Sequence, residues 1–142
     1  MDKERNIIRH IKKCLYNYRF NLIKYKLLNE ILITLREQTD VHAYNCDILP
    51  SSGSTSSPVD RYMERITHIE RRLTQVKTLI TPINHLLAYV LKHDWRLFEI
   101  FQHLYYERHK KKEIAHMLGV STRTIAKRDK QLIKKAMEYL KV

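Results

Sequence analysis

The residues best suited to chemistry lie near the end of the chain, where hydroxyl and basic side chains crowd into one short stretch. Arg123 can donate two parallel hydrogen bonds to the O6 and N7 atoms of guanine, the pairing by which arginine most often reads a base edge. Arg123 is therefore the strongest candidate for a sequence-specific contact with DNA. The other candidate contacts with base edges are Ser121, Thr122, Thr124, Lys127 and Arg128.

A set of lysines on both sides of this stretch is suited to contacts with phosphate groups. Such contacts contribute affinity and fix the register of a protein on DNA, but they carry no sequence information. For any one of these lysines, the alternative is an ordinary solvated surface charge. The candidate phosphate contacts are Lys110, Lys111, Lys112, Lys130 and Lys134.

The spacing of apolar residues predicts a helix-turn-helix around these side chains. A short helix is expected over residues 111–118, a turn over 119–121, and a longer helix over 122–140. Gly119 can adopt the positive φ angle that the turn requires. Ser121 can cap the second helix and leave its first turn exposed for base edges in the major groove. The predicted core residues of the motif are Ile114, Ala115, Leu118, Val120 and Ile125.

One position in the second helix departs from the apolar pattern. One turn after Ile125, where an aliphatic residue is expected, the chain has Arg128, with Asp129 beside it. Either the stem of Arg128 covers the core while its guanidinium meets DNA, or the helix is rotated relative to this assignment. The next buried positions are expected to be Leu132, Ile133, Ala136 and Leu140.

The chain lacks the residue patterns typical of an enzyme, such as a glycine-rich phosphate loop or a Ser/His/Asp arrangement with context. His10 and Cys14, and likewise His42 and Cys46, have a four-residue spacing that suits zinc ligands. One pair falls in a heptad-patterned helix and the other in a loop, so surface histidines and a partly buried thiol explain them better. We expect no catalytic activity, no metal and no other cofactor.

The first 93 residues are patterned for helix packing and assembly. Apolar residues recur at alternating three- and four-residue steps in two segments, which is a heptad pattern. Further apolar residues in the first segment predict that its helix has more than one neighbour. The heptad positions are Ile8, Ile11, Leu15, Tyr18, Leu22, Tyr25, Asn29 and Leu32 in the first segment, and Val59, Tyr62, Ile66, Ile69, Leu73, Val76, Ile80, Ile83, Leu87 and Val90 in the second; the further residues are Ile7, Phe20, Leu27, Leu28 and Ile31.

Three features of this region leave alternatives open. Asn29 stands at a heptad position, where a polar residue can fix register or partner number, or can simply be exposed near the end of the helix. The two heptad helices can form an antiparallel hairpin within one chain or pair between subunits. Pro82 interrupts the second segment and predicts a kink or a break there.

The sequence therefore predicts an all-α fold, with a long heptad-patterned helical hairpin followed by a C-terminal helix-turn-helix domain. Pro58 in a first helical turn marks the start of the second long helix. The expected divisions are a long amphipathic helix over 1–38, a flexible Ser/Gly/Pro linker over 39–57, a second amphipathic helix over 58–93 and a DNA-binding domain over 94–142.

The charge of the chain favours a polyanionic partner. The formal net charge is +12, and residues 108–142 alone contain eleven Lys and Arg against three Asp and Glu. Such a field suits nucleic acid or an anionic membrane surface, and a motif that fits DNA grooves favours double-stranded DNA. The longest uncharged run, residues 78–91, is shorter than the roughly twenty apolar residues of a membrane span. We expect a soluble, cytoplasmic protein that does not bind membranes.

The C-terminal segment resembles a known group of regulators. An aromatic helix starting at Trp95 leads into KKEIAHMLGVSTRTIAKRDKQLIKKAMEYL at residues 111–140, which is similar to the phage transcriptional regulators of the ArpU/RinA group. The similarity is strongest over residues 94–140 and is only architectural before them. The resemblance implies a helix-turn-helix like the promoter-binding fourth region of sigma factors. It also implies activation of phage late genes, host RNA polymerase as a partner and the bacterial host cytoplasm as the location.

Two DNA-binding functions fit this organisation. The first is a sequence-specific transcription activator that binds as a dimer, with a recognition helix in each of two half-sites about 34 Å apart. The second is a phage small terminase subunit, which marks DNA for packaging and also joins a helix-turn-helix to a helical assembly region. In that class the DNA-binding domain usually comes first. Here it comes last, which favours the activator, whereas a ring-shaped oligomer would favour the terminase.

Overall fold

α-Helices make up nearly all of the described chain. The structure, a computed structural model, describes residues 1–46 and 58–140, and the side chains of all of these except 42–46. The helix at Trp95–Ile100 continues directly into a π-helical turn at Phe101–Tyr106. These ranges contain no strand, which confirms the all-α prediction, and none of their helices is both long and apolar enough to cross a membrane. The helices are α1 (Asp2–Cys46), α2 (Pro58–His93), α3 (Trp95–Ile100), α4 (Lys111–Leu118) and α5 (Thr122–Leu140).

The two long helices form an antiparallel hairpin. The Tyr18 hydroxyl donates a hydrogen bond to the side-chain oxygen of Asn84. Further along α1, Nη2 of Arg36 lies 3.0 Å from Oε1 of Glu70. Residue numbers rise along α1 while those of the partners fall along α2, so the helices run in opposite directions. Of the two arrangements that the sequence left open, the pairing within one chain is the one observed.

The heptad pattern predicts most of the buried seam of this hairpin, with a shift at two positions. Asn29 is exposed, and the neighbouring Leu28 is buried in its place. On α2, Leu86 is fully buried whereas Leu87 is only half-buried. At both places the buried residue directly precedes the predicted one, and the seam returns to the predicted register at Leu32 and Val90. Asn29 is therefore a surface residue. The heptad residues that are buried are Ile11, Leu15, Tyr18, Leu32, Ile66, Leu73, Val76, Ile80, Ile83 and Val90.

α1 continues past its predicted end at residue 38 as far as Cys46. Thr39 is buried there, and its hydroxyl donates a 2.7 Å hydrogen bond to the carbonyl of Leu35. The sequence contains no glycine or proline before Pro50, so nothing local ends the helix at residue 38. The rest of the predicted linker, residues 47–57, lies outside the described residues.

α2 runs unbroken through Pro82. A proline inside a helix removes one backbone hydrogen bond and crowds the preceding turn. The buried side chains of Ile80 and Ile83 lie on either side of this position and hold both parts of the helix in the same seam. Of the kink or break that the sequence predicts at Pro82, the break does not occur.

The chain forms two compact units, whose bounds differ from the predicted division at residue 94. Met1–Asn21 and Leu79–Val142 form one, called here the motif unit, and Leu22–Thr78 form the other, called here the hairpin unit. In the motif unit, aromatic rings join α1 to the segment that precedes α4. The rings of Tyr16 and Tyr105 are 4.7 Å apart, and those of Tyr18 and Phe101 are 5.5 Å apart. The helix-turn-helix thus shares its core with the start of α1.

Candidate nucleic-acid interface

The turn between α4 and α5 has the geometry that the sequence predicts. α4 ends at Leu118, and Gly119 adopts the left-handed conformation with φ of 67°. The Val120 N–H donates to the carbonyl of Ala115 at 3.0 Å, and the Gly119 N–H donates to that of His116 at 3.4 Å. These two bonds form a Schellman motif, which satisfies carbonyls at the end of the helix and redirects the chain.

Replacing Gly119 by alanine should destabilise the protein by about 1 kcal/mol, because an L-residue is strained at positive φ. A Cβ atom at this position would meet no atom within 4 Å, so steric crowding adds nothing. Urea unfolding followed by circular dichroism measures this change. Gly119→Asn is the matched variant and should lose less, because asparagine tolerates this conformation better. Wild-type stability for Gly119→Ala would contradict this account.

Ser121 caps the N-terminus of α5, as the sequence predicts. Its Oγ accepts a 3.1 Å hydrogen bond from the Thr124 N–H and lies 2.8 Å from the Thr124 hydroxyl. This cap satisfies one of the free N–H groups of the first turn. The hydroxyls of Ser121 and Thr124 therefore hold the turn together, and any contact with a base must share them with this role.

The core beneath the motif contains most of the predicted residues. The buried members come from both helices, whereas Leu118, Val120 and Leu140 are half-buried. α3 also packs against α5 and contributes the buried residues Leu97 and Ile100. The predicted positions that are buried are Ile114, Ala115, Ile125, Leu132, Ile133 and Ala136.

An exposed basic face runs along α5. Arg123, Lys127, Lys130 and Lys134 are all exposed, and their steps of four, three and four residues place them on one side of the helix. We call these four residues the basic face. Two residues predicted to contact bases and two predicted to contact phosphates thus form one continuous surface.

The other predicted contacts lie around this face at different positions. Thr122 is exposed in the first turn of α5, and Lys110 and Lys112 are exposed at the start of α4. Arg128 is half-buried, and a separation of five residues places it about 140° around the helix from Arg123. The structure therefore does not bring Arg128 together with the basic face.

Asp129, beside the position at which the sequence predicts an aliphatic residue, is the buried residue one turn after Ile125. Its side chain is 3% exposed. The Tyr105 hydroxyl donates a 2.5 Å hydrogen bond to Oδ1 of Asp129, and Nζ of Lys111 lies 3.5 Å from Oδ2. The second interpretation of the departure is thus the correct one, since the helix is rotated so that Asp129 rather than Arg128 faces the core. Lys111, predicted to contact phosphate, lies beside this carboxylate.

Sequence reasoning missed the pairing of Tyr105 with Asp129, although one signal was present. Asp129 follows Ile125 by four residues and so falls on the apolar stripe of α5. A carboxylate on such a stripe requires a hydrogen-bond donor or a cation, because burial without one is costly. The donor lies 24 residues away along the chain, and periodicity cannot identify it.

Burial raises the pKa of Tyr105, and the charge of Asp129 together with its hydrogen bond raises it further. Burial also raises the pKa of Tyr16 and Tyr18, and the charge of Asp129 adds to the effect at Tyr16. A folded-state pKa above that of the unfolded chain means that the fold retains a proton that the unfolded chain loses. Each tyrosine therefore stabilises the fold below its usual pKa of 10.0, and this stability is lost as the pH rises above that value.

Above pH 10 the stability of the motif unit should fall by about 1.4 kcal/mol per pH unit for Tyr105 alone. Urea unfolding of the wild type and of Tyr105→Phe at a series of pH values measures the slope for each protein. Tyr105→Phe should show the smaller slope, because it has no phenol proton to lose. Equal slopes for the two proteins would contradict this prediction.

A polar segment connects the π-helical turn to α4. Glu107 accepts hydrogen bonds from Gln102 and His103, and these two bonds lower its pKa. Oε2 of Glu107 also lies 3.1 Å from Nε2 of His109. Arg108 has a positive φ of 60°, and its guanidinium donates a 3.2 Å hydrogen bond to the carbonyl of Tyr16. These contacts anchor the chain immediately before the basic start of α4.

Three of the predicted phosphate lysines also line a groove in the motif unit. The groove has a volume of about 630 Å³ and lies between the first turns of α1 and one side of α5. Lys130 and Lys134 therefore lie at the boundary between the groove and the basic face. The lining residues are Glu4, Ile8, Lys12, Lys111, Ala126, Asp129, Lys130, Ile133, Lys134 and Met137.

The first of the two His/Cys pairs is close in space. Sγ of Cys14 lies 3.7 Å from Nε2 of His10, and burial raises the pKa of the thiol. Among the side chains that the structure describes, no group of three or more His, Cys, Asp or Glu residues is placed to hold a metal ion. The side chains of His42 and Cys46 lie outside the described residues.

Comparisons of the chain with protein-family models, with curated proteins and with solved structures found no match.

Proposed function

We propose that the protein binds double-stranded DNA without catalysing a reaction, and that α5 is its recognition helix in the major groove. The observation that carries this proposal is the basic face, which starts two residues after the N-cap of a helix that follows a tight turn. The N-terminal part of a recognition helix contacts base edges, and the preceding helix approaches the backbone. The exposed Arg123 and Lys127 have the position that this arrangement requires.

The residues have separate roles in the proposed complex. Arg123 reads a guanine, and Lys127, one turn further along, reaches the same groove. Lys130 and Lys134 continue the basic face and contact phosphates as the helix leaves the groove. Lys110 and Lys112 contact phosphates at the N-terminus of α4, where the helix dipole also favours an anion.

The resemblance to the ArpU/RinA group supports a narrower proposal, in which the protein is a dimeric activator of phage late genes. It would bind a promoter together with host RNA polymerase. Transcription in vitro tests activation. The template carries the DNA site that the protein binds, and purified host polymerase is combined with increasing amounts of the protein. The transcript should increase with wild-type protein and stay at its basal level with an Arg123→Ala/Lys127→Ala variant. A transcript that does not respond to the wild type would contradict activation.

Selection from the source genome tests DNA binding itself. The purified full chain is incubated with genomic fragments at physiological salt, and the retained fragments are sequenced. Enrichment of a short site upstream of an operon supports the regulator, and loss of that enrichment in Arg123→Ala/Lys127→Ala assigns it to α5. Enrichment of a packaging site would identify a small terminase subunit instead. Retention without any enriched sequence would contradict sequence-specific binding.

Lys112→Ala should weaken binding to all DNA sequences alike and reduce the salt dependence of affinity by about one unit of slope. The physical reason is that each neutralised phosphate releases about one counterion. Fluorescence anisotropy titrations over a range of salt concentrations give the slope. Lys77→Ala, which removes an exposed lysine of the hairpin unit, is the matched control and should keep the wild-type slope. An unchanged slope for Lys112→Ala would remove this lysine from the phosphate contacts.

A further inference from the structure

One face of α1 in the hairpin unit carries large apolar side chains that are about half exposed. Ile23, Leu27 and Ile31 are 50%, 54% and 46% exposed. Their four-residue spacing makes them a ridge along the helix, separate from the seam formed by Leu28 and Leu32. Contiguous exposed apolar patches on soluble proteins mark interaction surfaces. We call Ile23, Leu27 and Ile31 the apolar ridge.

The surroundings of the ridge extend the apolar surface. The Thr34 hydroxyl donates a 3.0 Å hydrogen bond to the carbonyl of Glu30, so its polar group is satisfied within α1. On the other side, Ile31 lines a groove of about 450 Å³ together with Leu35 and Ile69. A partner helix laid along the ridge would therefore cover apolar surface of both α1 and α2 in this unit.

We propose that the apolar ridge is the interface at which two copies of this chain pair, with their α1 helices antiparallel. A two-fold symmetric contact must be self-complementary. If Leu27 of the first copy lies beside Ile31 of the second, the two-fold axis also places Ile31 of the first copy beside Leu27 of the second. The same four side chains then form the centre of the interface.

The charges beside the ridge favour this orientation. An antiparallel two-fold axis brings the same flank of both helices together, and Lys26 and Glu30 lie on one flank of the ridge. When Leu27 meets Ile31 of the second copy, Lys26 and Glu30 of opposite copies differ by about 3 Å along the helix axis. Two equivalent ion pairs therefore form across the interface. This inference rests on the proposed function in one respect, since the paired copies are the dimer that would bind two DNA half-sites.

Sedimentation equilibrium of the full chain without DNA tests the interface. The wild type should show a concentration-dependent dimer, and Leu27→Asn should raise the dissociation constant by on the order of tenfold or more. Ile33→Asn is the matched control, because Ile33 is equally exposed at 54% but lies off the ridge. It should keep the wild-type constant, and circular dichroism should show equal helicity for all three proteins. A monomeric wild type, or equal effects of the two substitutions, would overturn the proposal.

A charge swap tests the orientation. Lys26→Glu and Glu30→Lys should each raise the dissociation constant at low ionic strength, because each creates two contacts between like charges. The double variant Lys26→Glu/Glu30→Lys should return it to within about twofold of the wild type, since opposite charges meet again. A double variant no better than the single ones would overturn the antiparallel pairing. These measurements contain no DNA, so their failure is distinguishable from a failure of DNA binding.

Discussion

Asp129→Ala is expected to destabilise the motif unit by about 2–4 kcal/mol, the largest effect among the substitutions considered. The substitution removes the acceptor of the Tyr105 hydroxyl, which then stays buried without a partner. It also removes the carboxylate beside Lys111, and with it a contact between α4 and α5. Urea unfolding followed by circular dichroism measures the loss.

Two further variants make the Asp129 experiment specific. Glu138→Ala removes an exposed carboxylate of α5 that pairs with Lys135 at 3.0 Å, and it should cost less than about 1 kcal/mol. Tyr105→Phe/Asp129→Leu replaces both buried polar groups, and it should recover most of the stability that Asp129→Ala loses. If Asp129→Ala and Glu138→Ala proved equally stable, the buried hydrogen bond would not hold α5 in place.

Arg123→Ala is expected to lower the preference for one base pair by about 1–3 kcal/mol, because a bidentate contact with guanine is lost. Fluorescence anisotropy with the selected site, and with versions that change one base pair at a time, measures this preference. The wild type should discriminate against substitutions at the contacted position. The variant should bind all four versions of that position with similar affinity.

Arg128→Ala is the matched control for this experiment. Arg128 has the same side chain on the same helix, but it is half-buried and lies away from the basic face. Its replacement should leave the base preference unchanged. Loss of discrimination in Arg128→Ala with none in Arg123→Ala would mean that the opposite side of α5 faces the groove.

Local patterning explains how much of the fold could be predicted from the sequence. The bounds of α4 and α5 agree with the prediction because Gly119 and Ser121 impose local conformations that depend on few neighbours. Where two apolar residues are adjacent, the pattern alone does not determine which of them is buried in the seam of the hairpin. Leu27 and Leu28 are both leucines, and which of them is buried depends on packing between the helices and not on the local pattern.

The candidate site likewise contains residues whose exposure or burial the sequence predicts and others for which it does not. The exposure of Arg123 and Lys127 follows from the period of the helix and the apolar positions next to them. The burial of Asp129 does not, because it depends on Tyr105 and Lys111, which other elements supply. The packing of Tyr16 and Tyr18 in the motif unit could not be predicted either, since their ring partners lie more than eighty residues away in the sequence.

The division into two units also constrains the order in which the chain can fold during synthesis. The hairpin unit is a continuous segment, Leu22–Thr78, that lies within the sequence of the motif unit. All of its residues leave the ribosome before Leu79 does, so it can fold first. The opening residues, although translated earliest, cannot reach their final contacts until the aromatic rings of residues 101–106 have emerged. The motif unit, which contains the proposed recognition helix, is therefore completed only after α5 has been translated.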